Sequence, residues 1–294
     1  MKDTTIVKPL RASLLWRRFR FQPMDLSQLF VSGAGLIVVF LIFCAVAPEW
    51  IAPYSPTDMD AANLLKPPGA DHLFGTDYFG RDVFTLVIYG SRDSLLIGLA
   101  SVLVGGLAGA GLGTLSGYVG GWVDVVIMRL IEVLMTIPGI LLALAIAAAM
   151  GPSTMNVVLA IAAGTIPRYA RVMRSQILTV KNRPYVLASR SIGSSPARIF
   201  FKHVLPNSTA PFLVMATIGI GTSILTGSGL SFLGLGVIKE IPDWGTVLSQ
   251  GEGYLTVAWW VCTFPGLAIA LFVLSVNIIG DRIRDALDPK KRNG

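Results

Sequence analysis

The sequence predicts an all-α, polytopic membrane protein with six transmembrane helices and both termini on the cytoplasmic side. Three observations lead there. Of 294 residues, 53% are hydrophobic and only 14% are charged, whereas soluble domains carry about 25% charged residues. Long apolar runs recur along the chain. Each crossing needs about 20 mostly apolar residues, so little is left for a soluble domain. When these runs are threaded through a bilayer, the basic residues gather on one side.

Residues 1–28 form a polar tail with Lys2, Lys8, Arg11, Arg17, Arg18 and Arg20, and 29–47 is the first span. Ala45-Val46-Ala47 has the pattern of a signal-peptidase site. The apolar run exceeds a typical signal core, however, and Pro48 follows the cut, so the span is read as retained. A polar segment with scattered Pro and Asp, 48–93, comes next. Residues 94–280 make up the transmembrane core. Its spans are 94–115, ending at a glycine-rich turn at 117–121; 123–150, with Pro138; a short 155–166, predicted to continue helically into a basic loop, 168–207; 208–230; and 256–279, with Pro265. The two prolines each remove a backbone hydrogen bond and are predicted to kink their helices. A charged tail, 281–294, closes the chain.

The first tail, the 168–207 loop and the last tail hold nearly all of the Lys and Arg. The opposite side has only Lys66, Arg81, Arg92 and Lys239 against many acids. The positive-inside rule makes the basic side cytoplasmic. The net charge of +7 is therefore a topology signal with affinity for anionic lipid headgroups, and not a nucleic-acid footprint. Cys44 and Cys262 both lie in apolar runs, form no CxxC pair and read as small buried hydrophobes.

Several features bear on function. Gly105, Gly109, Gly113 and Gly117 recur every four residues and form one bare helix stripe, suited to close packing inside the bundle or against a partner subunit. Span five is rich in hydroxyls, including Thr217, Thr222, Ser223 and Thr226. These are either packing residues bonded to the preceding turn or the lining of a pathway. Asp124, Arg129 and Glu132 lie near the start of span three, where Arg129 and Glu132 are spaced for a local ion pair. No chain of acids or histidines crosses the membrane, which argues against an ion-coupled secondary transporter. His72 and His203 are the only histidines and have no ligand-spaced neighbours, so no metal site is expected. No nucleophile–base–acid constellation and no G-x-x-x-x-G-K-[ST] is present. Any nucleotide that drives this protein is expected on another chain.

The stretch from Tyr185 to Asn207 can be read physically. Pro184 opens a helix through Ile192, Gly193 turns the chain, and Pro196 opens a second helix with Ile199, Phe200, Phe201 and Val204 on its apolar face. Pro206-Asn207 is predicted to close it. Two short helices about a glycine elbow make a knob that fits a cleft; the competing reading is a helix lying on the membrane surface.

This stretch resembles the EAA loop of ABC importer permeases: E-A-A, three residues, G, then L-P. Here the pattern falls on Leu187-Ala188-Ser189, Gly193 and Leu205-Pro206. His72–Phe84, containing Gly75-Thr76-Asp77 and Gly80-Arg81-Asp82, is similar to a signature of the second permease subunit of dipeptide, oligopeptide and nickel importers. Ser231–Gly236 with Asp243-Trp244-Gly245, and Gly280-Asp281 with Arg284–Pro289, match the same subfamily.

The resemblance implies a type I ABC importer permease fold in a bacterial inner membrane. It also implies a second homologous permease, one or two cytoplasmic ATPase subunits that carry the ATP and Mg, and a periplasmic or lipoprotein binding protein. Di- or oligopeptides are the implied cargo, with nickel, a metal chelate or a glutathione-like molecule as alternatives. This chain would be a transport subunit with no ATPase site or bound cofactor of its own. Tyr185, Leu187, Ala188, Ser189, Arg190, Gly193, Pro196, His203, Leu205 and Pro206 would form the ATPase-coupling loop. The 48–93 segment would receive the binding protein or shape the outer gate, or its signature residues would only stabilise a tight fold. Leu187 stands where the family has glutamate. The polar contact implied for that glutamate is lost or supplied by the partner permease, and apolar docking is expected to remain.

Overall fold

The computed structural model describes residues 26–287. The basic residues from Lys2 to Arg20, and Asp288-Pro289 with the end of the last tail, lie outside them. The described residues form eleven α-helices and no strand beyond an isolated bridge between Thr76 and Asp82. In chain order these are α1 (Leu26–Val46), α2 (Val83–Val119), α3 (Gly121–Met135), α4 (Gly139–Met150), α5 (Thr154–Lys181), α6 (Pro184–Ser191), α7 (Pro196–Ile199), α8 (Leu205–Ser208), α9 (Ala210–Phe232), α10 (Trp244–Glu252) and α11 (Trp260–Leu287).

Among the described residues, α1, α2, α9 and α11 are each long and apolar enough to cross a membrane. The pair α3 and α4 adds a fifth crossing if it is one broken span. The expected short fourth span is the apolar half of α5, which runs without interruption through Pro167 into the basic stretch. Arginines in that second half keep α5 out of the apolar set, although its 28 residues are ample in length.

Several boundaries differ from the sequence reading: α2 runs on to Val119 through the expected 117–121 turn, and the last helix covers Trp260–Leu287, so it starts later than 256 and enters the expected tail. The second helix begins at Val83, before the apolar run, because Asp82 caps it by accepting from the Thr85 amide at 2.8 Å. Span three is broken rather than kinked. Pro138 takes an extended conformation (φ −53°, ψ 128°), and α3 and α4 meet at 87°, since the proline ring and its missing N–H prevent α3 from continuing. Pro206 does not close the second loop helix. It sits in the first turn of α8, where a backbone N–H donor is not needed, and the chain passes from α7 through a π-helical stretch, Phe200–Val204, into α8. Pro265, like Pro167, lies inside a helix that continues past it.

The glycine stripe explains the most extensive helix contact in the molecule, that of α2 with α5. A Cβ on Gly109 would come within 2.6 Å of the Tyr169 Cβ and 2.7 Å of the Ile166 carbonyl oxygen, and one on Gly113 would overlap the Ala170 carbonyl. A Cβ on Gly117 would lie 3.0 Å from the Arg174 carbonyl oxygen. The stripe therefore packs within this chain and lets two backbones touch along several turns. Gly139 and Gly164 do the same between α4 and α5.

Three apolar clusters hold the bundle together. One joins α1, α2, α10 and α11 around Trp244, Trp260 and Phe272. A second, with Ile97, Ala143, Ile161 and Leu230, joins α2, α4, α5 and α9. The third contains Met173, Ile177, Val180, Val186, Ile199 and Val204, and fixes the loop after α5 to the end of α5 itself. Cys44 and Cys262 are both free, the first buried and the second half-buried.

Candidate functional site

The loop between α5 and α9 forms the knob its sequence suggested. α6 starts on Pro184 and ends at Ser191, and the chain turns just beyond it at Gly193, whose φ of +82° is a conformation that disfavours side chains. The Ser195 side chain caps α7 by accepting from the Arg198 amide. The buried side chains Val186, Ile199 and Val204 face inward. Outward, Tyr185 and Leu187 are about half exposed, Phe201 is 67% exposed and Ile192 84%. Ala188, Arg190, Gly193, Pro196 and Pro206 are exposed, while Ser189, His203 and Leu205 are half-buried. The Ser189 hydroxyl bonds that of Ser194 across the elbow at 3.1 Å, and the Tyr185 and His203 rings lie 6.2 Å apart, centroid to centroid. Of the predicted apolar face, Ile199 and Val204 are thus internal and Phe201 is not.

Polar bonds tie this knob and the end of α5 to α2. The Tyr118 hydroxyl donates to the Pro196 carbonyl at 2.9 Å, and Lys181 Nζ donates to the Gly117 carbonyl at 2.6 Å. Close by, Arg174 of α5 donates from Nε and Nη2 to the two carboxylate oxygens of Asp124 at 2.5 and 2.6 Å, and the Ser116 hydroxyl also bonds that carboxylate. The carboxylate beside it holds the Arg174 guanidinium even more firmly in its charged form. The expected local pair of Arg129 with Glu132 is present at 3.3 Å on an exposed face. Asp124, grouped with them in the sequence, instead reaches across to α5.

Two cavities open between α5 and α9. The larger, about 550 Å³, is lined by residues that include Thr165, Arg168, Tyr169, Met215, Ile218, Gly219, Thr222 and Arg284. The smaller, about 200 Å³, is lined by Gly139, Ile140, Ala143, Ile161, Gly164, Thr165, Arg168, Thr222, Ser223 and Thr226. Thr165, Arg168 and Thr222 border both. The structure thus brings Thr222, Ser223 and Thr226 together on one wall. It places Thr217 elsewhere, near Gly280 of α11. Thr222 and Thr226 donate to carbonyls of the preceding turn at 3.0 and 2.8 Å, whereas the buried Ser223 hydroxyl has no hydrogen-bond partner among the described residues. Sequence reading missed Thr165, Arg168, Tyr169 and Arg284 as lining residues. The available signal was the spacing of Thr165 and Arg168, one turn apart on the face opposite the Gly139 break; Arg284, on a distant helix, gave none.

The motif in the 48–93 segment is a structural knot. Asp77, 1% exposed, accepts from the Phe79 and Arg81 amides at 2.8 and 2.9 Å and from Arg81 Nε at 2.8 Å. Arg81 also reaches Gln250 of α10 at 3.1 Å. The Thr76 hydroxyl donates to the Asn63 carbonyl at 2.5 Å, and the Thr76 carbonyl accepts from Trp260 Nε1 at 3.0 Å. Asp82 caps α2 and meets His72 Nδ1 at 3.0 Å. Gly75 and Gly80 have φ of +73° and +77°, and side chains there would strike Trp260 and the Asp60 backbone. Every member of Gly75-Thr76-Asp77 and Gly80-Arg81-Asp82 therefore secures the junction of this segment with α2, α10 and α11.

The comparisons agree with this architecture. Residues 109–293 match the family described as binding-protein-dependent transport system inner membrane component. The chain is 41% identical, over 99% of its length and 96% of the relative's, to the di/tripeptide transport system permease protein DppC of Pseudomonas aeruginosa. It is 43% identical to the glutathione transport system permease protein GsiD of Escherichia coli, over 94% of this chain and 89% of that one. Among solved structures, the MetNI methionine ABC transporter in an inward-facing conformation superposes with a TM-score of 0.58 at 21% identity, covering 70% of this chain and 97% of that one. An amino acid ABC transporter follows with a TM-score of 0.57 at 16% identity, over 69% and 95% of the two chains. A family match over more than half the chain, near-full-length relatives and a shared importer fold lead to one conclusion: this multi-pass membrane protein belongs to the binding-protein-dependent transport system inner membrane components, the permeases of ABC importers.

Proposed function

We propose that the chain is one of two permease subunits lining the translocation pathway of an ATP-driven importer of di- or short oligopeptides. The observation that carries the proposal is the pairing of a hydroxyl- and arginine-lined cavity between α5 and α9 with an exposed helical knob fixed directly to the end of α5. In this reading α5 is the lever. A cytoplasmic ATPase grips Leu187, Ile192 and Phe201, and its closure moves α5 through the Val186–Ile177–Ile199 packing. The backbone-to-backbone seam with α2 then carries the displacement as a rigid body. The seam matters because closely packed helices transmit motion with little loss in side-chain repacking.

The chain itself performs no hydrolysis in this scheme; ATP and Mg are held by partner ATPases. A binding protein delivers substrate on the opposite face, where the Asp77–Arg81 knot gives a firm landing for the α2 and α11 ends. Relatives at 40% identity or more that bear peptide or glutathione names support a short peptide-like cargo. The test is purification of the chain from its own membrane in mild detergent, followed by mass spectrometry of its companions and an ATPase assay. A second permease and P-loop ATPases, with hydrolysis stimulated by a peptide-loaded binding protein, are the expected result. A stable homo-oligomer without ATPases would refute the assignment.

A further inference from the structure

The larger cavity has an unusual donor set. Its walls are mostly apolar, with Pro211, Val214, Met215 and Ile218 among them. Its threonine hydroxyls are already committed as donors: Thr165 to the Ala162 carbonyl at 2.9 Å and Thr222 to the Gly219 carbonyl at 3.0 Å. The groups left with free donors are Arg168, Arg284 and the hydroxyl of Tyr169. Neither arginine has a carboxylate partner among the described residues. Tyr169 is 2% exposed, lines the cavity, and its hydroxyl finds no hydrogen-bond partner among the described residues. Gly219 makes room for that hydroxyl, since a Cβ there would overlap it. The hydroxyl oxygen opens into the cavity and is not sealed in the core, so it is a donor that a ligand there can use. Arg168 and Arg284 are exposed side chains on the cavity wall, and each guanidinium offers a planar donor fork that matches a carboxylate.

We propose that Arg168, Arg284 and the Tyr169 hydroxyl form an anion-recognising station that takes the terminal carboxylate of a short peptide in transit. The proposal deepens, and rests on, the peptide-importer reading. Arg168 borders both cavities, so the carboxylate passes from the smaller pocket to the larger one without leaving a guanidinium. Because α5 also carries the coupling loop, a shift of α5 changes the spacing of Arg168 to Arg284 of α11, which loads or releases the anion. Arg284 had appeared in the sequence only as part of a charged terminal motif.

The test uses the chain with its co-purifying subunits in phosphatidylcholine nanodiscs without nucleotide. Ligand-observed saturation-transfer NMR compares Ala-Ala with its C-terminal amide. The free acid is expected to bind roughly tenfold more tightly than the amide, the scale of one charge-assisted bond set. R168Q/R284Q should abolish that difference, Y169F should reduce it without disturbing the fold, and R168K/R284K should retain part of it. Equal binding of the two probes by the wild type, or discrimination that survives in R168Q/R284Q, overturns the proposal. So does discrimination that vanishes when phosphatidylglycerol is added, which makes a lipid headgroup the resident anion. Import of Ala-Ala by the same assembly in proteoliposomes is followed in parallel. Absence of import defeats the peptide reading and this assignment with it, whereas import without acid–amide discrimination defeats the station alone.

Discussion

Asp124 and Arg174 stand 50 residues apart in the chain and meet through two hydrogen bonds, at 2.5 and 2.6 Å, in a partly buried fork between α3 and α5. A bidentate guanidinium–carboxylate pair fixes both distance and orientation. Here it pins the start of α3 to the helix that carries the knob after Lys181. Substituting Asp124 with Asn keeps the shape and removes the charge. The expected loss is about 1–3 kcal/mol of stability, seen as a lowered thermal-unfolding midpoint of the solubilised protein. The swap D124R/R174D should recover part of it; no recovery would mean that the pair is incidental.

Gly113 tests the α2–α5 seam. Its substitution with Leu drives a side chain into the Ala170 backbone, which cannot yield as a side-chain tip would. Overpacking of this kind costs about 1–3 kcal/mol or more, so G113L should lower the yield of folded protein and raise its protease sensitivity. The same change at Gly111, where nothing lies within 4 Å of an added Cβ, should be tolerated. Equal effects at the two sites would contradict the packing account.

Gly193 separates coupling from folding. Its surroundings are open, so a side chain meets no neighbour there, but φ of +82° strains any other residue, by about 1–2 kcal/mol. G193L should leave the bundle assembled while ATP hydrolysis continues without transport. Unchanged coupling would sink the docking role of the loop.

Leu187 and Ile192 test the chemistry of docking. Both are exposed apolar residues on the knob. L187R/I192R should weaken co-purification of the ATPase by roughly tenfold or more if an apolar hot spot carries the contact. If ATPase recovery is unaffected and lipid binding falls instead, the helix lies on the membrane surface.

Arg81 tests the outer knot. Arg81→Ala strands the buried Asp77 carboxylate and the Gln250 amide, and breaking a buried pair costs about 3–5 kcal/mol. The variant should accumulate poorly and lose compactness around α10, which hydrogen exchange would register. Wild-type protection there would show that the knot contributes little.

Much of this architecture was legible in the sequence because helix periodicity, apolar run length and proline or glycine punctuation are local properties. Pro184, Gly193 and Pro196 marked the knob, and the four-residue glycine repeat marked a packing face. Where the reading failed, a neighbour made the difference. Pro138 ends α3, but that α4 leaves at 87° and packs on α5 through Gly139 and Gly164 is decided by that neighbour. Pro206 was read as a stop, yet a proline in the first turn is equally a start. Thr217 has the same chemistry as Thr222, but it sits against α11 rather than the cavity.

The sequence by itself determined the membrane class, the order of its helices and the family to which the motifs belong. Only the tertiary structure decided that Asp124 answers Arg174, that the glycine stripe faces α5, and that Arg168, Tyr169 and Arg284 converge on one cavity. The physical reason is that a residue's place on its own helix follows from a rotation of about 100° per residue. Which other helix faces it depends on packing summed over the whole bundle.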